Sequence, residues 1–123
     1  VVFSQEFDKI VTIPNPVQFP PIGTLPSQSD IDRRNTKSIL GYKDPYRVNE
    51  IDLIGWGDIM LIFTDGLQEH GRDEVEYFPI HVENVLRAHK SESSKDIYEA
   101  LKQDVLAFNQ PDDDISFVVI KRA

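Results

Sequence analysis

Three aspartates stand at the ends of the two most apolar segments of this 123-residue chain. Asp65 follows Ile59-Met60-Leu61-Ile62-Phe63-Thr64, while Asp113 and Asp114 precede Ile115-Ser116-Phe117-Val118-Val119-Ile120. Short β-branched and apolar runs of this kind read as strands. If the two strands are antiparallel neighbours, the end of one lies beside the start of the other, and carboxylates far apart in sequence converge. Clustered carboxylates repel unless protons or a hard cation compensate them. Mg²⁺ or Mn²⁺ suits an all-oxygen set and keeps several waters, one of which can become a nucleophile. Each motif also has a conformational reading. Asp-Gly after a strand is a common turn signal, and a run of three aspartates is commonly a solvated loop that protects strand edges. Their joint placement at the tips of the two most apolar strands weakens both readings, and on pattern alone a metal site stands no higher than level with them.

Other residue types carry less chemistry. His70, His81 and His89 lack zinc-type pairing and are expected on the surface. Ser93 and Ser94 have no nucleophile-elbow context and suit a helix cap. Trp56, within Gly55-Trp56-Gly57, is expected to cover the sheet end rather than to recognise a ligand. Arg33 and Arg34 could meet a phosphorylated partner, but a solvated loop is the simpler reading.

The elements that must position the aspartates follow from hydrophobic spacing. Val1-Val2-Phe3 and Ile10-Val11-Thr12-Ile13 are too brief for helices and read as short strands. Prolines crowd Pro14 to Pro26, which makes that stretch loop or sheet edge, and Ser27 to Asp44 reads as a charged loop. Tyr46 to Leu53 partly alternates, so it is expected to form a hairpin with Ile59–Phe63 through the glycines at 55 and 57. Ile59–Phe63, apolar at every position, predicts a strand covered on both faces. Phe78, Val82, Val85 and Leu86 predict one helix, with Pro79 acceptable in its first turn. Ser93 to Asp96 gives a start signature for a second, carrying Ile97, Leu101, Val105 and Phe108. Helices grouped together rather than alternating with strands favour an α+β layered fold of antiparallel strands plus two consecutive helices.

Size and composition agree with one domain over residues 1–123. Apolar residues make up 40% of the chain, enough for a core, and the absence of cysteine excludes disulfides, thiolate metal sites and a cysteine nucleophile. A net charge of −8 argues against nucleic acid and anionic lipid as partners. With neither a membrane-spanning run nor a signal-type start, no membrane contact and a cytoplasmic setting are expected.

Residues Gly57 to Glu69, with Gly57-Asp58, Thr64-Asp65-Gly66 and Glu69 at fixed spacing, resemble a motif of the bacterial stage II sporulation protein E type serine phosphatases. These belong to the metal-dependent, type 2C-like protein phosphatases. Asp113-Asp114-Ile115-Ser116 through Arg122 resembles the family's terminal strand, and Pro20-Pro21-Ile22-Gly23 is similar to the loop before its hairpin. The resemblance runs from Pro20 to Arg122. It implies an αββα sandwich with a binuclear Mn²⁺ or Mg²⁺ centre, in which Asp65 and Asp113 are metal ligands. Asp114 takes the position after the ligand, and Glu69 matches a motif position without an assigned role. No separate catalytic side chain and no substrate-binding residue is assigned. The implied reaction is phosphomonoester hydrolysis by two-metal activation of water, without a covalent phosphoenzyme. The implied substrate is phosphoserine on a regulatory protein such as an anti-sigma-factor antagonist, under the control of an upstream sensor domain. The family's earlier motif, an aspartate followed by Gly-His-Gly, has no counterpart: Asp8 precedes Lys9-Ile10-Val11, and no glycines surround Asp30 and Asp32. The expectation is therefore the C-terminal half of the phosphatase domain, inactive or nearly so alone. The alternative is a non-catalytic protein-binding module that keeps the fold.

Overall fold

The computed structural model describes residues 1–11, 25–26, 41–42 and 55–123. By its internal contacts the chain falls into two compact units, Val1–Ile13 with Asp52–Ala123, and Pro14–Ile51. In the first unit, β1 (Val2–Ser4), β2 (Lys9–Val11), β3 (Ile59–Phe63) and β6 (Phe117–Lys121) form one sheet in the order β2-β1-β3-β6. Every pairing in it is antiparallel. Between β3 and β6 come a one-turn helix α1 (Asp65–Gln68), a small hairpin of β4 (Gly71–Arg72) and β5 (Val75–Glu76), and the helices α2 (Ile80–His89) and α3 (Ser94–Phe108). The architecture is α+β, as the grouping of helical patterns predicts. The expected strand at 46–53, most of the proline-rich stretch, most of the charged loop and Arg33 and Arg34 lie outside the described residues. Among those described, the partners of β3 are β1 and β6.

The core lies between one face of the sheet and the two long helices. Phe3, Ile59 and Leu61 point inward against Val82, Val85 and Leu86 of α2 and Ile97, Leu101 and Val105 of α3. Each such side chain contributes about 1.5–3 kcal/mol on full burial. Their spacing is the one the helical patterns require, and Ser93 caps α3 by accepting the Asp96 amide at 3.2 Å. The Lys121 ammonium donates to the carbonyls of Lys90 and Glu92, at 2.7 and 2.6 Å, fastening the end of β6 to the turn between the helices. A cation is favourable at a helix C-terminus, where carbonyls lack intrahelical partners.

The opposite face of β3 and β6 corrects one expectation. Ile62, Val118 and Ile120 are 53%, 55% and 46% exposed, and the cross-strand pairs Met60↔Ile120 and Ile62↔Val118 make a continuous apolar strip there. Covering both faces needs a second layer, and within the described elements α2 and α3 cover only one. A second correction concerns His70, which is 4% exposed rather than superficial. Tyr77 and Phe108 enclose its ring, and Nε2 lies 3.1 Å from the Val105 carbonyl. His81 stacks on the same Tyr77 ring. Burial, together with a 2.7 Å hydrogen bond donated to Asp104, pushes the Tyr77 phenol pKa up. Trp56 also departs from expectation: it is 73% exposed, with the Arg122 guanidinium 5.2 Å over its ring.

Candidate metal centre

The antiparallel register of β3 and β6 decides where the acidic motifs meet. The last paired residues are Phe63 and Phe117, so Thr64-Asp65-Gly66 and Asp113-Asp114-Ile115-Ser116 leave the sheet at the same rim. The Thr64 amide donates to the Ser116 carbonyl, and the Ser116 amide donates to the Thr64 hydroxyl, each at 3.0 Å. Asp65 then opens α1, whose buried Leu67 plugs the turn into the core. Glycine is required at position 66 by close approach. A Cβ there would sit 2.6 Å from the Asp114 carbonyl oxygen, well inside contact distance.

Asp65 and Asp113 are held alike. The Gly66 amide donates to Asp65 Oδ1 at 3.1 Å, and the Asp114 amide donates to Asp113 Oδ1 at 2.7 Å. Each aspartate is exposed, and its second carboxylate oxygen has no partner among the described residues. Those two oxygens are available to a cation at this rim. The donor type is right for Mn²⁺ or Mg²⁺, which take oxygen ligands. The donor number is small: among the described residues no group of three or more histidines, aspartates and glutamates is placed to hold a metal ion. Asp114 does not complete a triad, and Glu69 is exposed at the end of α1, where its amide donates to the Asp65 carbonyl at 2.9 Å.

Beside the rim a cleft of about 480 Å³ opens between α3 and the Pro111–Phe117 segment. Its wall is apolar at Val105, Leu106 and Phe117 and polar at Tyr98 and Lys102, and Asp113 stands on its border. Neither the cleft nor the buried acid at Asp58 is foreseen from sequence. Asp58 accepts the amides of Gln5 at 2.7 Å and Gly55 at 2.8 Å, so it knits β1 to the turn before β3. The Gly57-Asp58 part of the motif is therefore structural, and its signal is the glycine-flanked turn itself.

No helix among the described residues is long and apolar enough to cross a membrane. Comparison with curated proteins and with solved structures finds no match. The family model described as stage II sporulation protein E (SpoIIE) matches residues 14–123. That span holds both acidic motifs, both long helices and the terminal strand, so the chain belongs to the stage II sporulation protein E family, whose members carry a type 2C-like phosphatase domain.

Proposed function

We propose that this chain supplies the C-terminal part of a metal-dependent serine/threonine protein phosphatase domain, acting on phosphoserine of a regulatory protein such as an anti-sigma-factor antagonist. An upstream sensor domain belongs to the same proposal. The observation that supports it is that the Asp65 and Asp113 segments leave the sheet at the same rim, each aspartate with a carboxylate oxygen left over. In this reading Asp65 and Asp113 hold Mn²⁺ or Mg²⁺. When bound, paired cations of this kind orient a phosphate and activate water for in-line attack. The chain's own contribution is to fix the two carboxylates on a rigid sheet edge. Each is oriented by the amide that follows it, and Ile115 anchors the Asp113 segment by packing against the core. The apolar strip of Met60, Ile62, Val118 and Ile120 supports a second sheet packed on this face, hence the αββα sandwich. Further metal ligands then come from the other half of that sandwich.

The test is Mn²⁺-dependent hydrolysis of p-nitrophenyl phosphate by this chain, by the full-length protein and by its Asp65→Asn variant. Activity is expected in the full-length protein alone, with a loss of about a hundredfold or more in the variant. Full-length activity that survives the substitution removes Asp65 from the mechanism. The small donor set at the rim favours a second reading, a non-catalytic protein-binding module with the same fold. A full-length protein that is inactive with every divalent metal, yet folds normally, would establish that reading instead.

A further inference from the structure

We infer that Thr64 is a positioning residue whose hydroxyl clips the Asp113–Ser116 segment to the end of β3 and so fixes the spacing of the Asp65 and Asp113 carboxylates. This inference rests on the metal reading above and deepens it. Thr64 and Ser116 are the next pair in the β3–β6 register after Phe63↔Phe117. In an antiparallel ladder such a hydrogen-bonded pair exchanges two bonds, each amide donating to the other residue's carbonyl. Only one of them is made that way here, from the Thr64 amide to the Ser116 carbonyl at 3.0 Å. The other is not made in the same manner: the Thr64 carbonyl turns instead to the Leu67 amide, which it accepts at 3.1 Å as α1 begins.

The Thr64 side chain takes over the missing place. Its Oγ1 accepts the Ser116 amide at 3.0 Å, and its own proton faces the carbonyls of Asp114 and Ser116, both at 3.4 Å. One hydroxyl thus lets the chain turn into α1 while keeping β6 paired. Asp112, Asp113 and Asp114 are consecutive and exposed, and like charges in one segment repel, so a fastening at its end keeps the segment on the sheet. Gly66 brings α1 within reach of the Asp114 carbonyl, and the Thr64 hydroxyl holds the segment there. Asp65 is covalently next to the clip on one side, and Asp113 is three residues from it on the other.

The experiment compares the wild-type chain with Thr64→Val, which keeps the shape and loses the oxygen, and Thr64→Ser, which keeps the oxygen. Two readouts are taken by NMR: hydrogen exchange of the Ser116 amide, and paramagnetic broadening of the Asp65 and Asp113 amides during titration with MnCl₂. In Thr64→Val the Ser116 amide is expected to exchange about tenfold faster or more, the loss of one hydrogen bond, while amides of α3 are unchanged. The Mn²⁺ concentration for half-broadening should rise about tenfold. Thr64→Ser should restore both. Equal Ser116 exchange in wild type and Thr64→Val overturns the inference, as does a serine variant that behaves like valine. Faster exchange with an unchanged Mn²⁺ response also overturns the positioning role. If the wild-type chain shows no Mn²⁺ broadening at Asp65 and Asp113, the positioning role toward a metal is overturned, whereas the exchange data still decide whether the clip exists and the full-length activity assay separately decides the metal reading.

Discussion

Strand β3 has an aspartate near each end, Asp58 before it and Asp65 just beyond it, and each is next to a glycine. Their surroundings are opposite. Asp58 is 8% exposed and spends both oxygens on backbone amides. The same end of the sheet carries the β1–β2 turn, where Asp8 takes Lys90 and Arg87, and where Glu83 takes Arg87 and the Ile10 amide. At the other end Asp65 and Asp113 are exposed, and among the described residues each carboxylate engages only the amide that follows it. What a carboxylate does is therefore decided by which groups already use its lone pairs. The Asp58 end is anchored and holds the fold. The Asp65 end is open and keeps its charge available.

The strongest way to break that contrast is to truncate one acid at each end. Asp58→Ala leaves the Gln5 and Gly55 amides without their acceptor. Charge-assisted bonds contribute about 1.5–3 kcal/mol each. Gly55 is exposed and can turn to water, so a loss of about 2–4 kcal/mol is expected, most of it from Gln5. Asp65→Ala should change stability by no more than about 0.5 kcal/mol, as exposed substitutions do. Urea denaturation of both variants measures the difference. Equal losses would mean that the two ends are built alike.

A smaller effect is expected from Gly66→Ala, which tests whether the open end is nonetheless tightly packed in its backbone. The added Cβ meets a carbonyl oxygen at 2.6 Å, and a backbone atom cannot swing aside as a side chain can. A loss of about 1–3 kcal/mol is expected, typical of overpacking. The amides of Asp113 and Asp114 should shift in the NMR spectrum, because the strain falls on their segment. A variant as stable as wild type, with those signals unmoved, would show that the rim yields freely and that its geometry is not fixed by this contact.

Much of this was legible in the sequence, for reasons that differ by element. Apolar spacing places α2 and α3, and the Ser93 cap marks where α3 begins, because both signals are local. The β3–β6 rim is legible because two apolar strands each end in acid. The short α1 and the β4–β5 hairpin escape, since four residues and two-residue strands are too brief to show a period. Ile59–Phe63 reads as doubly buried because composition cannot say how many layers lie over a sheet, and Ile62 turns out to face outward. His70 escapes as well, since its burial depends on Tyr77 and Phe108, which approach from other elements. Asp58 looks like part of an active-site motif, and only its two amide partners show that it is structural.

The smallest effect expected is in acid, and it isolates the ion pairs of the anchored end. A hydrogen bond from Lys90 holds the Asp8 carboxyl below the usual carboxylate range, with Arg87 adding to it. The Ile10 amide does the same for Glu83, again helped by Arg87. A carboxyl with a lowered folded-state pKa binds its proton first in the unfolded chain. Its contribution is therefore complete above the ordinary value near about 4 and is lost as pH falls through the lowered one. Both groups are wet, so the gain is modest and salt should reduce it. Asp8 has a positive φ of 53°, which asparagine tolerates well, so Asp8→Asn removes the charge without straining the turn. Between about pH 5 and pH 3 the melting temperature of wild type should fall more steeply than that of Asp8→Asn, and 0.5 M NaCl should bring the two curves together. Parallel curves at low salt would remove Asp8 from the anchor and leave Asp58 as the acid that separates the two ends.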